Sequence, residues 1–277
     1  MQIIRSAQLR EKVGESKNCE VYAFGKTQVV KLYRRGFDPD EIELQAGIAA
    51  IVQRSGLPMP QIQPGLVKNA EDGRLGVVYE RASGPTLAQA LKRQPLRLFN
   101  CARILAGQHR LILDSPSIEG LRAQKPWLRE KIDEEPAFDD AQRAALGRLL
   151  DALPDGDRIC HGDFGVDNVI LGAERPMLID WANATRGSGL CDIARSWTML
   201  RFNQFLSKPL RLYCAVLAAL YVRYALRGHR YDSGEFERWR LVNVAVRLHD
   251  LRADAERAPV LAYLRPRLAR LVAGAAP

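Results

Sequence analysis

His161-Gly162-Asp163-Phe164-Gly165-Val166-Asp167-Asn168, followed twelve residues later by Asp180-Trp181, decides how this chain is read. Arg158-Ile159-Cys160 leads into the stretch as a short strand. Val169-Ile170-Leu171 leaves it as another. Gly172-Ala173-Glu174-Arg175-Pro176 reads as a turn, and Met177-Leu178-Ile179 is a third apolar run that delivers Asp180. Short apolar runs bounded by turn residues fit buried strands. Asp163, Asn168 and Asp180 are therefore expected at strand ends or in the loops between strands. Their carboxylate and amide oxygens are hard donors, the kind that Mg²⁺ takes together with phosphate oxygens.

The form His-Gly-Asp-x-x-x-x-Asn followed by Ile-Asp-Trp resembles the aminoglycoside phosphotransferase and choline kinase branch of the kinase-like fold. The resemblance runs from Lys31 to Ala194 and leaves a divergent helical tail. It is most specific at residues 160–195, where Asp192-Ile193-Ala194 also matches. It implies an α+β, bilobal, protein-kinase-like fold. A small β-rich N-terminal lobe would span residues 1–82 and bind nucleotide. A larger, mainly helical C-terminal lobe would span 83–277 and carry catalysis and acceptor binding.

The same resemblance implies roles. Asp163 is the catalytic base that orients an attacking hydroxyl and accepts its proton late. Asn168 and Asp180 hold Mg²⁺ against the phosphates of ATP. Lys31, in Val29-Val30-Lys31-Leu32-Tyr33, serves the α- and β-phosphates. A Lys inside an apolar strand is costly unless its ammonium meets an anion or solvent. Glu43 is expected to orient Lys31; Glu41 is also available near the helix start, and Gln45 occupies a register where relatives carry Glu, so that a weaker, uncharged hydrogen bond would hold Lys31 if Gln45 replaces the partner. Ser16, in Gly14-Glu15-Ser16-Lys17-Asn18-Cys19, is placed in a phosphate-covering loop; a plain surface turn explains that stretch equally well. Glu80 and Ala82, in Val77-Val78-Tyr79-Glu80-Arg81-Ala82-Ser83-Gly84, would hold adenine through the Glu80 carbonyl and the Ala82 amide. His161 is expected to brace the catalytic loop. Asp192 is expected to cap a helix and brace the same loop.

Three departures bear on function, the third being Gly165, where relatives often place His, Lys or Asn. Gly162 stands where regulated protein kinases carry an Arg that reads a phosphorylated loop. Asp180-Trp181-Ala182 replaces Asp-Phe-Gly. Only eleven residues separate Asp180 from Asp192, too few for a long activation segment. Gly162 and that short segment point to a constitutively competent small-molecule kinase, with a protein or peptide kinase and a nucleotide-binding pseudokinase as alternatives.

The 277 residues are enough for a sizeable core, and 47% hydrophobic with 26% charged residues is ordinary for a soluble protein. No N-terminal secretory core is evident, and the apolar run from Leu212 to Val222 is about half a membrane span. Five cysteines at wide spacing fit reduced thiols in the cytoplasm better than disulfides or zinc. Cys160 and Cys191 read as small apolar fillers rather than metal ligands. The net charge is +9, and residues 195–277 carry all of it, with 15 Lys or Arg against 6 Asp or Glu. No aromatic-interleaved basic motif points to nucleic acid, and no protein partner is implied. That charge argues mildly against a polycationic acceptor, unless Asp232, Glu235, Glu237, Asp250 or Asp254 form a local acidic pocket.

The pattern along the chain predicts a first strand near 8–14, strands at 19–24 and 28–33 around Gly25-Lys26-Thr27, a helix from about 39 to 54, and strands at 66–70 and 75–80. Helical spacing follows at 87–91, 96–113, 122–134 and 139–152. After the catalytic strands it resumes at 192–206, 210–227, 234–252 and 258–273.

Overall fold

A computed structural model describes residues 1–202, 208–228 and 231–274. It is α+β and divides into two compact units. The first comprises residues 1–89, 118–120 and 167–184; the second comprises 90–117, 121–166 and 185–277. A single cut after Ala82 was expected. The division is instead discontinuous, because the Asn168–Asp180 segment folds onto the strand-rich unit.

That unit is built on a six-stranded sheet. Its strands are β1 (Gln2–Ile4), β2 (Leu9–Glu15), β3 (Cys19–Phe24), β4 (Gln28–Tyr33), β5 (Val67–Asn69) and β6 (Leu75–Glu80), in the order β1-β5-β6-β4-β3-β2. Only β1 with β5 is parallel. Gly25, with φ 65°, supplies the left-handed backbone that the β3–β4 turn requires. Val30 and Leu32 alternate inward along β4 and meet Ile4, Val67 and Val78 in the core. Lys31 points to the other face. Helix α1 (Pro39–Gln53) starts at Asp38, whose carboxylate accepts from the Asp40 N–H at 3.0 Å, with Pro39 in the first turn. Gly76 sits where β6 passes β4, and a Cβ there would lie 2.7 Å from the Lys31 carbonyl oxygen. Only Gly fits beside the strand that carries Lys31.

A hairpin of β8 (Val169–Leu171) and β9 (Pro176–Leu178) completes the unit. Helix α2 (Leu87–Arg93) straddles the boundary between the two units.

The second unit is mainly helical. It contains α3 (Leu98–Asp114), α4 (Gln124–Asp133), α5 (Asp140–Ala152), α6 (Gly189–Arg201), α7 (Lys208–Ala225), α8 (Ser233–Asp250) and α9 (Asp254–Val272). Its two strands, β7 (Arg158–Cys160) and β10 (Thr185–Gly187), pair antiparallel with Cys160 opposite Thr185. Leu105, Ile112, Leu128, Leu146, Tyr221 and Trp239 are fully buried. Helix α9 begins before the expected start at 258. Asp254 and Glu256 fill its first turn, and it continues through Pro259 and Pro266. The expected end of α6 at 206 falls outside the described residues. No described helix is long and apolar enough to cross a membrane.

Candidate active site

In the strand-rich unit the β8–β9 hairpin places Asn168 and Asp180 at its open end. The Ile179 N–H donates to the Asn168 carbonyl at 3.0 Å, which ties the two approaches together. Asp180 has φ 64° and ψ 60°, the one positive φ outside glycine among the described residues. Such a left-handed residue stores of order 1–3 kcal/mol of strain and marks functional positions.

Lys31 donates to Asp180 Oδ1 at 2.9 Å. Burial disfavours the ammonium, but the Asp180 carboxylate outweighs that cost and holds the Lys31 pKa above its ordinary value. Its Nζ also lies 5.6 Å from the Tyr33 ring centroid, within cation–π range.

Glu43 is not brought to Lys31. It is exposed on α1 and makes no ion pair with Lys31 among the described residues. A different chain of groups occupies that place. The Tyr33 hydroxyl donates to Gln45 Oε1 at 2.9 Å, and Gln45 Nε2 donates to Glu41 Oε1 at 2.9 Å. Tyr33 was missed in the sequence, although it lies two residues from Lys31 on the same strand face. Tyr33→Phe keeps the ring under the ammonium and orphans Gln45 Oε1. It should cost about 1 kcal/mol of stability and weaken nucleotide binding a few-fold. Melting temperature and ATP titration check this, and an unchanged ATP affinity would separate Tyr33 from the site.

Ser16 lies in the exposed β2–β3 turn. Its N–H donates to the Cys19 carbonyl at 2.8 Å, and its Oγ is 3.0 Å from Cys19 Sγ. Arg34 pins that turn through the Lys17 carbonyl at 3.0 Å and Glu15 at 2.5 Å. Glu80 ends β6, paired with Gln28, and its N–H is used by the Gln61 carbonyl. The Arg81 N–H is used by Thr27, while the Ala82 N–H meets no acceptor among the described residues.

In the helical unit Asp163 is half-buried on the loop after β7, and its N–H donates to His161 Nδ1 at 3.3 Å. Gly162 has φ 75°, the conformation that turns this loop. Buried Asp192 holds the loop in place. It accepts the His161 N–H at 2.7 Å, the Gly162 N–H at 2.9 Å and His109 Nε2 at 2.9 Å. The Tyr221 hydroxyl meets His109 Nδ1, and the His109 ring packs 4.4 Å from Phe164. The expected capping role goes elsewhere. Ser188 is the N-cap of α6, and Asp192 looks inward from its first turn.

Asp192→Ala orphans all three donors and should cost about 3–5 kcal/mol in denaturant unfolding. Burial raises the Asp192 pKa, but the His109 and Gly162 hydrogen bonds more than offset this and leave it below the ordinary value. Its stabilisation is then full above the unfolded carboxyl pKa, about 3.9, and fades as pH falls through the folded one. The stability gap between the parent and Asp192→Asn should therefore shrink on acidification below about pH 4. A gap independent of pH would show that Asp192 acts without its charge.

Arg195 reinforces the loop by donating Nε to the Gly162 carbonyl. Its Nη2 reaches Asp250 at 3.0 Å, and Lys131 reaches the same carboxylate at 3.1 Å. Burial holds the Arg247 pKa below its usual value, against the attraction of Asp250 and Asp163. The buried thiols of Cys160 and Cys191 are pushed up by desolvation, Cys191 to about 12. They are packing groups. No group of three or more His, Cys, Asp or Glu able to hold a metal occurs among the described residues.

The sequence profile of the phosphotransferase enzyme family, APH, matches residues 16–230. The chain belongs to this phosphotransferase family. No curated protein matches its sequence. The fold of this phosphotransferase is similar to that of aminoglycoside phosphotransferase APH(4)-Ia, at 16% identity and TM-score 0.62, covering 96% of this chain and 94% of that one. It is similar to the amicoumacin kinase hAmiN, solved with AMP-PNP, Ca²⁺ and Ami, at 13% identity and TM-score 0.61, covering 99% and 90%. It is also similar to a choline/ethanolamine kinase family protein from Mesorhizobium loti, at 16% identity and TM-score 0.55, covering 95% and 86%. These likenesses agree with the kinase-like fold expected from residues 160–195.

Proposed function

We propose that this phosphotransferase moves the γ-phosphate of ATP, with Mg²⁺, to a hydroxyl of a small molecule. The observation that carries the reading is the Lys31–Asp180 ion pair beside the Ile179–Asn168 link, which sets a cation, a carboxylate and an amide in one compact unit. Structural neighbours bound to AMP-PNP or ADP support ATP as the donor.

The Asn168 amide oxygen and the Asp180 carboxylate are the hard donors that suit Mg²⁺. Held by these two residues, Mg²⁺ would supply neutralisation of the phosphate charge. Lys31 binds phosphate oxygens and is kept cationic by its surroundings. Glu80 and Ala82 offer main-chain groups to adenine, Ser16 lies in the covering turn, and Glu43 has no part that the geometry supports. Asp163 orients the acceptor hydroxyl and takes its proton late. Asp192 and Arg195 keep its loop from drifting. The five unpaired cysteines support the cytoplasmic assignment.

The acceptor is read as neutral or anionic rather than polycationic. Four of the five carboxylates that would form a local acidic pocket are engaged. Asp232 caps α8, Glu235 accepts from Trp239, and Glu237 pairs with Arg240. Asp250 is shared by Lys131, Arg195 and Arg247. Burial raises its pKa, and these three cations bring it below the ordinary value. Asp254 lies in the first turn of α9.

A screen of hydroxyl compounds for ADP release, with and without Mg²⁺, tests the reading. Mg²⁺-dependent release on a sugar, amino alcohol or nucleoside is expected. Release on peptides alone would make it a protein kinase. Tight ATP binding without release on any acceptor would make it a nucleotide-binding module.

A further inference from the structure

Two long stretches of the chain contain no carboxylate: Arg81 to Leu113, and Ile193 to Tyr231. The first supplies α3 and the second supplies α7, and these two helices pack on each other. A cavity of about 790 Å³ opens where they meet. Arg103 and Arg110 line it from α3, and Arg223 and Arg227 from α7 and the turn after it, with Phe99 and Tyr224 as aromatic walls. No Asp or Glu among the described residues lines it.

These arginines differ from others in the same unit. Arg129, Arg195 and Arg257 each meet a carboxylate. The side chains of Arg103, Arg110, Arg223 and Arg227 have no ion-pair partner among the described residues. Arg103 instead lies 5.9 Å from the Tyr224 ring centroid. Four like charges around one hollow repel one another, and no carboxylate among the described residues pairs with any of them. An anion entering the cavity would relieve that repulsion.

The chemistry selects the anion. The guanidinium fork matches phosphate oxygens in pairs and is the group of choice for phosphate recognition. The volume lies within the range of about 300–1,000 Å³ usual for small-ligand pockets. A concave hollow of this size suits a compact molecule rather than a bilayer or a duplex. None of its lining residues belongs to the candidate active site. We propose that the cavity between α3 and α7 binds a small phosphate-rich anion of the diphosphate or triphosphate type, at a site separate from the one for the reacting nucleotide.

The test is calorimetric titration of the full chain with inorganic pyrophosphate in the presence of EDTA. Saturable binding near one equivalent per chain is expected. It should survive Lys31→Ala, which disables the candidate nucleotide site. It should weaken at least tenfold in Arg110→Ala/Arg223→Ala. The pair Arg265→Ala/Arg270→Ala removes the same charge from exposed positions on α9 and should leave affinity within twofold. Arg110→Lys/Arg223→Lys keeps charge and loses the fork, so it should fold like the parent and bind at an intermediate level. The proposal is overturned by absence of saturable binding, by loss of binding in Lys31→Ala, or by equal weakening in the α9 control. Affinity for nucleic acid or anionic vesicles with none for pyrophosphate would overturn it as well. None of these outcomes depends on whether the protein phosphorylates an alcohol.

Discussion

Asp180→Asn should bring phosphoryl transfer close to zero while leaving the protein folded. Asn keeps the shape of the side chain and tolerates the left-handed backbone that Asp180 adopts. What disappears is the charge. Lys31 loses the anion that it meets at 2.9 Å, and the proposed Mg²⁺ site loses its carboxylate. A preorganised electrostatic group of this kind is worth about 10² to 10³ in rate. ATP affinity should also become insensitive to Mg²⁺. Titration of ATP with and without the metal, beside the rate of ADP release, reads both effects. Turnover equal to the parent would remove Asp180 from the metal site.

Asp163→Asn should separate chemistry from binding. Asn keeps the shape of the Asp163 side chain and removes only its capacity to take a proton, so the proposed metal and phosphate residues are expected to stay in place. A positioned general base contributes about 10² to 10⁴, and the ADP-release rate should fall by that factor. ATP affinity and melting temperature should stay near the parent values. If Asp163 only secured its loop, the variant would melt earlier and keep its specific activity. Measuring all three quantities on one preparation distinguishes these outcomes.

The parts of the fold that sequence shows well are those whose cause is local. The β3–β4 hairpin follows from alternating apolar residues around Gly25, and α1 follows from Asp38-Pro39 and its acidic first turn. The hairpin carrying Asn168 and Asp180 follows from three short apolar runs and one turn. Other parts depend on distant partners. β1 is three residues long and exists through parallel pairing with β5, more than sixty residues away. β10 is hidden beside Gly187-Ser188-Gly189, and only its pairing with β7 makes it a strand. Pro259 reads as a helix start, yet α9 begins at Asp254 because its first turn is acidic.

The candidate site divides in the same way. Asp163, Asn168 and Asp180 are legible because their spacing is local. The neighbours of Lys31 are not, because strand and helix meet there in space. Glu43 is the residue that the resemblance implies, a Glu on the helix after the strand. Tyr33 and Gln45 took that place because β4 and the α1 face bring them together. Asp192 was read as a cap and a brace; the brace is observed, and Ser188 holds the cap.

The discontinuity of the strand-rich unit has a consequence for biosynthesis. Lys31 and its partner Asp180 are 149 residues apart, and α1 packs on the turn Trp181–Asn183. When the sixth sheet strand leaves the ribosome, this unit still lacks its final hairpin. At about 5–20 residues per second, several seconds pass before residue 184 is made. Through that interval the face of α1 that the Trp181–Asn183 turn covers in the finished protein stays uncovered, and a non-local closure must follow. Chaperone demand during expression should therefore track the delay between Glu80 and Ala184. A rearranged chain that moves residues 167–184 next to the sheet strands in sequence would shorten that delay and ease folding, with no change to the identity of any residue of the candidate site.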